Sequence, residues 1–172
     1  PEVSADGLQM TLTVRDGPDA RRFAADTCLG GQARRILASD VAASLGRIDP
    51  ARHAAHALIA GRFAAIAHDD ARNTVTLQLT RPQPELPAIL ASPMLAISPP
   101  ECVAFYDGRD ADHPPFARHP VGSGPYVLDH AGSELPRTVI LLRNPDQPNT
   151  PHPEPALGCP TLPGASPIVL SH

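Results

Sequence analysis

Apolar and polar residues alternate along Met10-Thr11-Leu12-Thr13-Val14-Arg15, between turn pairs at Asp6-Gly7 and Asp16-Gly17. This period of two predicts a half-buried strand. The alternation returns at Thr74–Leu79, where Val75, Leu77 and Leu79 share one face after a turn at Asn73. Val41, Leu45 and Ile48 recur at helical spacing and predict a helix over 38–48, which Ser39 or Asp40 can cap and Asp49-Pro50 can end. An alanine-rich helix is expected over 51–65, anchored by Leu58, Ile59, Phe63 and Ile66. Residues 18–36 read as an irregular loop with adjacent glycines at 30 and 31. Further on, the pattern predicts a short helix over 85–91, an apolar strand at 95–97, and a helix from Pro100 to near Tyr106. A loop over 107–120 then leads to strands at 126–128 and 138–142, joined across Gly132. Strands and helices mix without strict βαβ alternation, so the fold class is α/β in the broad sense (mixed α+β), with a mixed sheet.

Composition changes this picture at the C-terminal end. Of 22 prolines, eight fall at 145, 148, 151, 153, 155, 160, 163 and 167. No helix or strand ladder survives that density, so 145–167 is assigned to an extended or disordered tail. Ile168-Val169-Leu170 can dock as an edge strand. Trp is absent and aromatics are 3%, so the core must be built from Leu, Ile, Val and Ala. Every basic residue is Arg, and the net charge of −4 leaves no basic field for nucleic acid or an anionic membrane. Cys28, Cys102 and Cys159 are odd in number and widely spaced. One disulfide is possible, its pairing open; unpaired small hydrophobes are the favoured reading. No stretch reaches the roughly 20 apolar residues needed to cross a bilayer, and no signal peptide is visible. The chain begins with Pro1 in what reads as mid-domain sequence, so it is expected to be a fragment or a processed chain.

Candidate chemistry is thin. His53 and His56 can share a helix face, but two ligands do not make a metal site, and a solvated face is the expected reading. His113, His119 and His130 flank a glycine-rich segment; they could gather around an ion, though solvent-exposed loop histidines are the commoner case. Ser123 sits between glycines, but the segment lacks the Gly-x-Ser-x-Gly elbow. Nothing in the spacing of His119 and Asp129 supports a Ser-His-Asp site around it. Asp69-Asp70 and the trio Asp107, Asp110 and Asp112 read as solvated turn residues. Gly30-Gly31 and Gly122-Ser123-Gly124 lack the Lys and the strand-to-helix setting of a phosphate cradle.

The most informative segment is Pro120-Val121-Gly122-Ser123-Gly124-Pro125-Tyr126, a stiff, shaped turn feeding a strand, with glycines where side chains would forbid the backbone. It resembles the Pro-Val-Gly-Thr-Gly-Pro-Tyr/Phe run of the family 5 extracellular solute-binding proteins, which serve ABC transporters for oligopeptides, dipeptides and nickel. Other segments fall in that family's order. Asp6-Gly7-Leu8 with Thr11 through Gly17 is similar to its opening hairpin. Phe23 with Asp26, Cys28, Gly30 and Gly31 resembles a subgroup insertion, and Ala38-Ser39-Asp40-Val41 with Ser44-Leu45 and Arg47-Ile48 resembles its Asp-Val helix. Arg81-Pro82, the run 89–93 and Arg143-Asn144-Pro145-Asp146 complete a match from about Ser4 to Asp146. Departures are Leu37 where the family prefers a capping Thr, Ala42 and Ala43 where Val and Tyr are usual, a shortened stretch after Pro50, and the proline-rich tail.

The resemblance implies a periplasmic-binding-protein-like lobe I fragment, residues 1–144, with an inserted accessory subdomain at about 18–120 and a proline-rich tail at 145–172. It implies the substrate-binding component of an ABC-type peptide importer, without enzymatic activity or cofactor, periplasmic and monomeric. Its partners would be a peptide or other small solute and membrane permease subunits. The ligand-binding residues it points to are Gly122, Ser123, Gly124 and Tyr126. The rival readings are a small hydrolase or metal protein using the His and Ser residues around 113–130, and a decayed homologue without function.

Overall fold

The computed structural model describes residues 1–18, 20–48, 53–107, 115–135 and 137–147, and the backbone of 168–171. The elements, in chain order, are β1 (Glu2–Val3), β2 (Gln9–Thr13), β3 (Arg22–Phe23), β4 (Arg34–Arg35), α1 (Ala38–Gly46), α2 (His56–Ile59), β5 (Phe63–Asp69), β6 (Thr74–Leu79), α3 (Leu86–Leu90), α4 (Pro100–Asp107), β7 (Tyr126–Leu128), β8 (Thr138–Arg143) and β9 (Ile168–Ser171). The chain divides into two compact units, one of residues 1–16 with 36–100, the other of 17–35 with 101–172. Both are discontinuous in sequence, and the span 18–120 is shared between them.

The first unit is a four-stranded sheet in the order β1-β2-β6-β5. Every pairing in it is antiparallel. Alternation along β6 buries Val75, Leu77 and Leu79 and leaves Gln78 exposed. Those three meet Met10 of β2, Ala38 and Leu45 of α1, and Leu86 of α3 in one core. Fully burying one such side chain stabilises the fold by about 1.5–3 kcal/mol, so this face outweighs any local propensity.

Phe63 and Ile66, expected on a helix over 51–65, lie instead in β5. Positions 49–52 fall outside the described residues, and only His56–Ile59 is helical before Gly61, at φ +66, turns the chain. The cause of the misreading is a β-bulge. Phe63 faces Leu79, Ala65 faces Gln78 and Ile66 faces Leu77, so Ala64 is the extra residue. The bulge puts residues three apart on one strand face and imitates helical spacing.

Helix α1 lacks a capping side chain at Leu37. Its free N–H groups are satisfied from the β5–β6 turn: Asn73 Oδ1 accepts from Ala38 N–H at 2.9 Å and Asp70 Oδ1 from Ser39 N–H at 2.7 Å. Asp40, expected as a cap, serves as one from the third helical position, where its Oδ2 accepts from the Leu37 N–H at 2.8 Å. Asn73 also donates to Val14 O at 3.2 Å and holds φ +52, a region Asn tolerates better than most residues. Asn73→Ala loses the cap and strains the backbone, at an expected cost of about 2 kcal/mol; Asn73→Gly keeps the backbone and costs about 1 kcal/mol. Urea unfolding of the two variants measures both shares.

The expected strand at 95–97 does not form: Leu95 ends a 3-10 turn, Pro93–Leu95, capped by Ser92, and residues 96 and 97 lie in no helix or strand. Pro93, Pro99 and Pro100 crowd this stretch and withhold the donors a ladder needs.

In the second unit, the expected loop over 18–36 contains the antiparallel pair β3–β4 and a 3-10 turn at Thr27–Leu29. A further sheet runs β7-β8-β9, again antiparallel, so among the described residues antiparallel pairing replaces the expected mixed sheet. β9 sits at the sheet edge; the rest of the expected tail from 148 to 167 lies outside the described residues. Cys28 and Cys102 form a disulfide with Cα atoms 5.0 Å apart, which corrects the reading of unpaired thiols for these two; Cys159 is not among the described residues. The bond ties segment 17–35 to α4. Arg34 reinforces the tie with two bonds to Glu101, at 2.8 and 2.7 Å, while its guanidinium lies over the buried Phe23 ring.

Candidate functional site

Three segments that the sequence offers separately converge in the second unit. Ala24 N–H donates to Gly122 O at 3.0 Å, and Arg21 Nη1 donates to Ser123 O at 3.3 Å. Asn144, 3% exposed, donates through Nδ2 to Gly124 O at 2.9 Å, and its N–H to Pro125 O at 2.9 Å. Asp146 Oδ2 accepts from Ala25 N–H at 3.0 Å, and Gln147 Nε2 donates to Arg22 O at 2.7 Å. The Arg-Asn-Pro-Asp run therefore clamps the glycine segment to the strand beside it.

Gly122, Gly124 and Tyr126 line an open cavity of about 710 Å³. Ser123 is half-buried and does not line it; its carbonyl is taken by Arg21. Neither Gly122 nor Gly124 has a positive φ, and a Cβ at Gly122 would meet nothing within 4 Å. The expectation that these glycines relieve forbidden backbone angles is thus corrected: at Gly122 the missing side chain leaves bare backbone. The other walls are apolar, with Leu128, Val139 and Leu141 prominent, and β7 and β8 contain no fully buried residue.

Asp26 forms the polar hub. Its Oδ1 accepts from Tyr106 Oη at 2.6 Å and Cys28 N–H at 3.0 Å, and its Oδ2 from His119 Nε2 at 3.0 Å. Burial pushes the Asp26 carboxyl up, but those bonds and the His119 charge outweigh it and hold the group below its ordinary value. The His119 ring stacks between Tyr106, at 4.0 Å, and His130, at 3.6 Å. Burial first, then the neighbouring His119 charge, pushes the His130 pKa down against the pull of Asp26 and Asp129.

Both shifts make acid destabilising. With its folded pKa below 6.5, His130 takes up a proton more readily in the unfolded chain, so stability falls as pH drops from about 6.5 towards the lower value. Asp26 contributes fully above 3.8 and loses its contribution as pH falls through its depressed value. The thermal midpoint is therefore expected to fall in two steps, and His130→Phe to abolish only the upper one; melting curves from pH 7.5 to 3 read both.

The sequence candidates divide accordingly. His119 pairs with Asp26, while Asp129 Oδ1 accepts from Ala131 and Gly132 N–H groups, at 3.1 Å each, in the β7–β8 turn. His56 is the first residue of α2 and His53 lies in the turn before it, where His56 N–H donates to His53 O at 2.9 Å. His113, Asp110 and Asp112 are outside the described residues. Among the described residues the three possible metal ligands that meet are Asp26, Cys28 and Cys102, and the disulfide consumes both thiols. The Asp26–Tyr106–His119 hub escaped sequence reasoning, because its members lie 80 and 93 positions from Asp26.

The fold these units build is that of the substrate-binding proteins. One solved neighbour is an ABC transporter-associated periplasmic binding protein, DppA from Helicobacter pylori in complex with peptide STSA, 24% identical with a TM-score of 0.67 over 84% of this chain and 29% of that one. Another is a dipeptide binding protein from Pseudoalteromonas sp. SM9913 in complex with Met-Leu, 18% identical with a TM-score of 0.67 over 87% and 30%. A third, MoaA from A.tumefacien R10 in complex with mannopinic acid, is 31% identical with a TM-score of 0.61 over 83% and 26%. The chain spans under a third of each. No curated protein matches it. Residues 1–154 match the bacterial extracellular solute-binding proteins, family 5, and the chain belongs to that family. Among the described residues no helix is long and apolar enough to cross a membrane.

Proposed function

We propose that this chain is part of the first lobe of the substrate-binding component of an ABC-type peptide importer, acting outside the cytoplasmic membrane as a monomer that delivers its solute to permease subunits. Residues 1–144 are read as lobe and accessory subdomain, the latter at about 18–120. Two neighbours hold peptides and one holds mannopinic acid, so peptide is the favoured solute among several the fold accepts. Gly122, Gly124 and Tyr126 are read as one ligand-facing wall, with Ser123 setting its shape through the Arg21 contact.

The observation that carries this reading is the bare backbone at Gly122 on the cavity wall. A glycine kept where neither φ nor packing demands it suits close approach of another molecule. Binding clefts bury most of a ligand by closing from two sides. One wall alone holds a peptide loosely, so titration calorimetry with a peptide pool is expected to give affinity weaker than micromolar; sub-micromolar binding would refute the partial-lobe reading. Gly122→Leu is expected to leave the thermal midpoint nearly unchanged and to abolish the residual binding. If binding survives that substitution, the wall assignment fails.

A further inference from the structure

We propose that the outer face of His130 is a stacking platform for a flat, uncharged or cationic ring on the ligand, so that the solute of this cavity carries an aromatic group. The inference rests on the reading above that the cavity takes a ligand, and it goes further by naming the ligand's chemistry.

The rings of Tyr106, His119 and His130 form a continuous stack. Tyr106 and His119 are 4.0 Å apart at 25°, and His119 and His130 are 3.6 Å apart at 5°. The inner end is fixed. Phe105 meets Tyr106 edge-on at 5.0 Å, Tyr106 is 5% exposed, and Asp26 holds both Tyr106 and His119 by hydrogen bonds. The Cys28–Cys102 bond locks the neighbouring backbone.

The outer end is open. One face of His130 is covered by a nearly parallel ring, yet the residue is exposed and lines the cavity. What remains for contact is its second face and its edge. Among the described residues its ring makes no hydrogen bond, and another ring would continue a stack whose cost of ordering is already met. Leu128 and Leu141 supply apolar flanks and Tyr126 a second exposed ring. Among the described residues the lining includes the carboxylates of Asp26 and Asp146 and no Arg, which disfavours an anionic ring.

The test uses the whole chain and three probes: tryptophanamide, leucinamide and indole-3-acetate, titrated by NMR while the histidine ring protons are followed. Tryptophanamide is expected to shift the His130 ring signals, and His130→Ala to weaken it about two- to twelvefold, the range aromatic pairs give. His130→Phe should restore binding, leucinamide should not respond to either substitution, and indole-3-acetate should bind more weakly than tryptophanamide. If both amides bind alike, respond alike to His130→Ala, and are both blocked by Gly122→Leu, the platform is refuted while the cavity reading stands. If neither amide nor the peptide pool binds, the cavity reading falls and the platform with it.

Discussion

Reducing the Cys28–Cys102 bond, or replacing Cys102 with Ala, is expected to destabilise the second unit by about 4 kcal/mol. Its cysteines are 74 positions apart. A cross-link over a loop of that length removes entropy from the unfolded chain worth roughly that amount. Loss of the bond also frees the turn carrying Asp26, so the Tyr106–His119–His130 stack loses its anchor. Two readouts check this. The midpoint in guanidinium should fall sharply with dithiothreitol for the native chain and not at all for Cys102→Ala. The His119 and His130 ring signals should lose their stacked shifts in both. A reduced protein with an unmoved midpoint would mean that the Arg34–Glu101 pair and the Asn144 clamp hold the unit without the bond.

The second large effect is expected in the first unit. Leu77 is fully buried at the centre of β6, packed among Met10, Val75 and Leu79. Leu77→Ala removes the transfer energy of the lost methyl groups and leaves a cavity that a hydrogen-bonded sheet cannot close, for a loss of about 3 kcal/mol. Gln78→Ala, one position along and on the other face, is expected to cost no more than about 0.5 kcal/mol. Equilibrium urea unfolding of the two variants gives the contrast; near-equal values would mean that β6 does not bury the face assigned to it.

Legibility in the sequence tracks how local the governing physics is. β6 coincides with its alternation because one face is buried and its own residues pair with β2 without a break in register. Helix α4 starts at the proline that fits its first turn. β5 is hidden because the bulge at Ala64 disguises a strand as a helix, and the apolar run at 95–97, flanked by prolines, is too short to pair. The site was half legible. The glycine segment and the Arg-Asn-Pro-Asp run stood out, since their residue types constrain backbone locally. The joining of the two by Asn144, and the carboxylate hub at Asp26, depend on contacts between distant positions that no periodicity encodes.

The strand order of the first sheet governs its assembly during synthesis. β2 lies between β1 and β6, with Gln9 opposite Gln78. At 5–20 residues per second, a partner roughly 70 positions downstream follows β2 out of the ribosome after about 3–14 s. Throughout that interval Met10 and Leu12 have only β1 beside them, an apolar edge of the kind that recruits other chains. Nascent polypeptides stalled before Thr74 are thus the species that holding chaperones would need to shield, and slower translation through the stretch before β6 would lengthen the exposure.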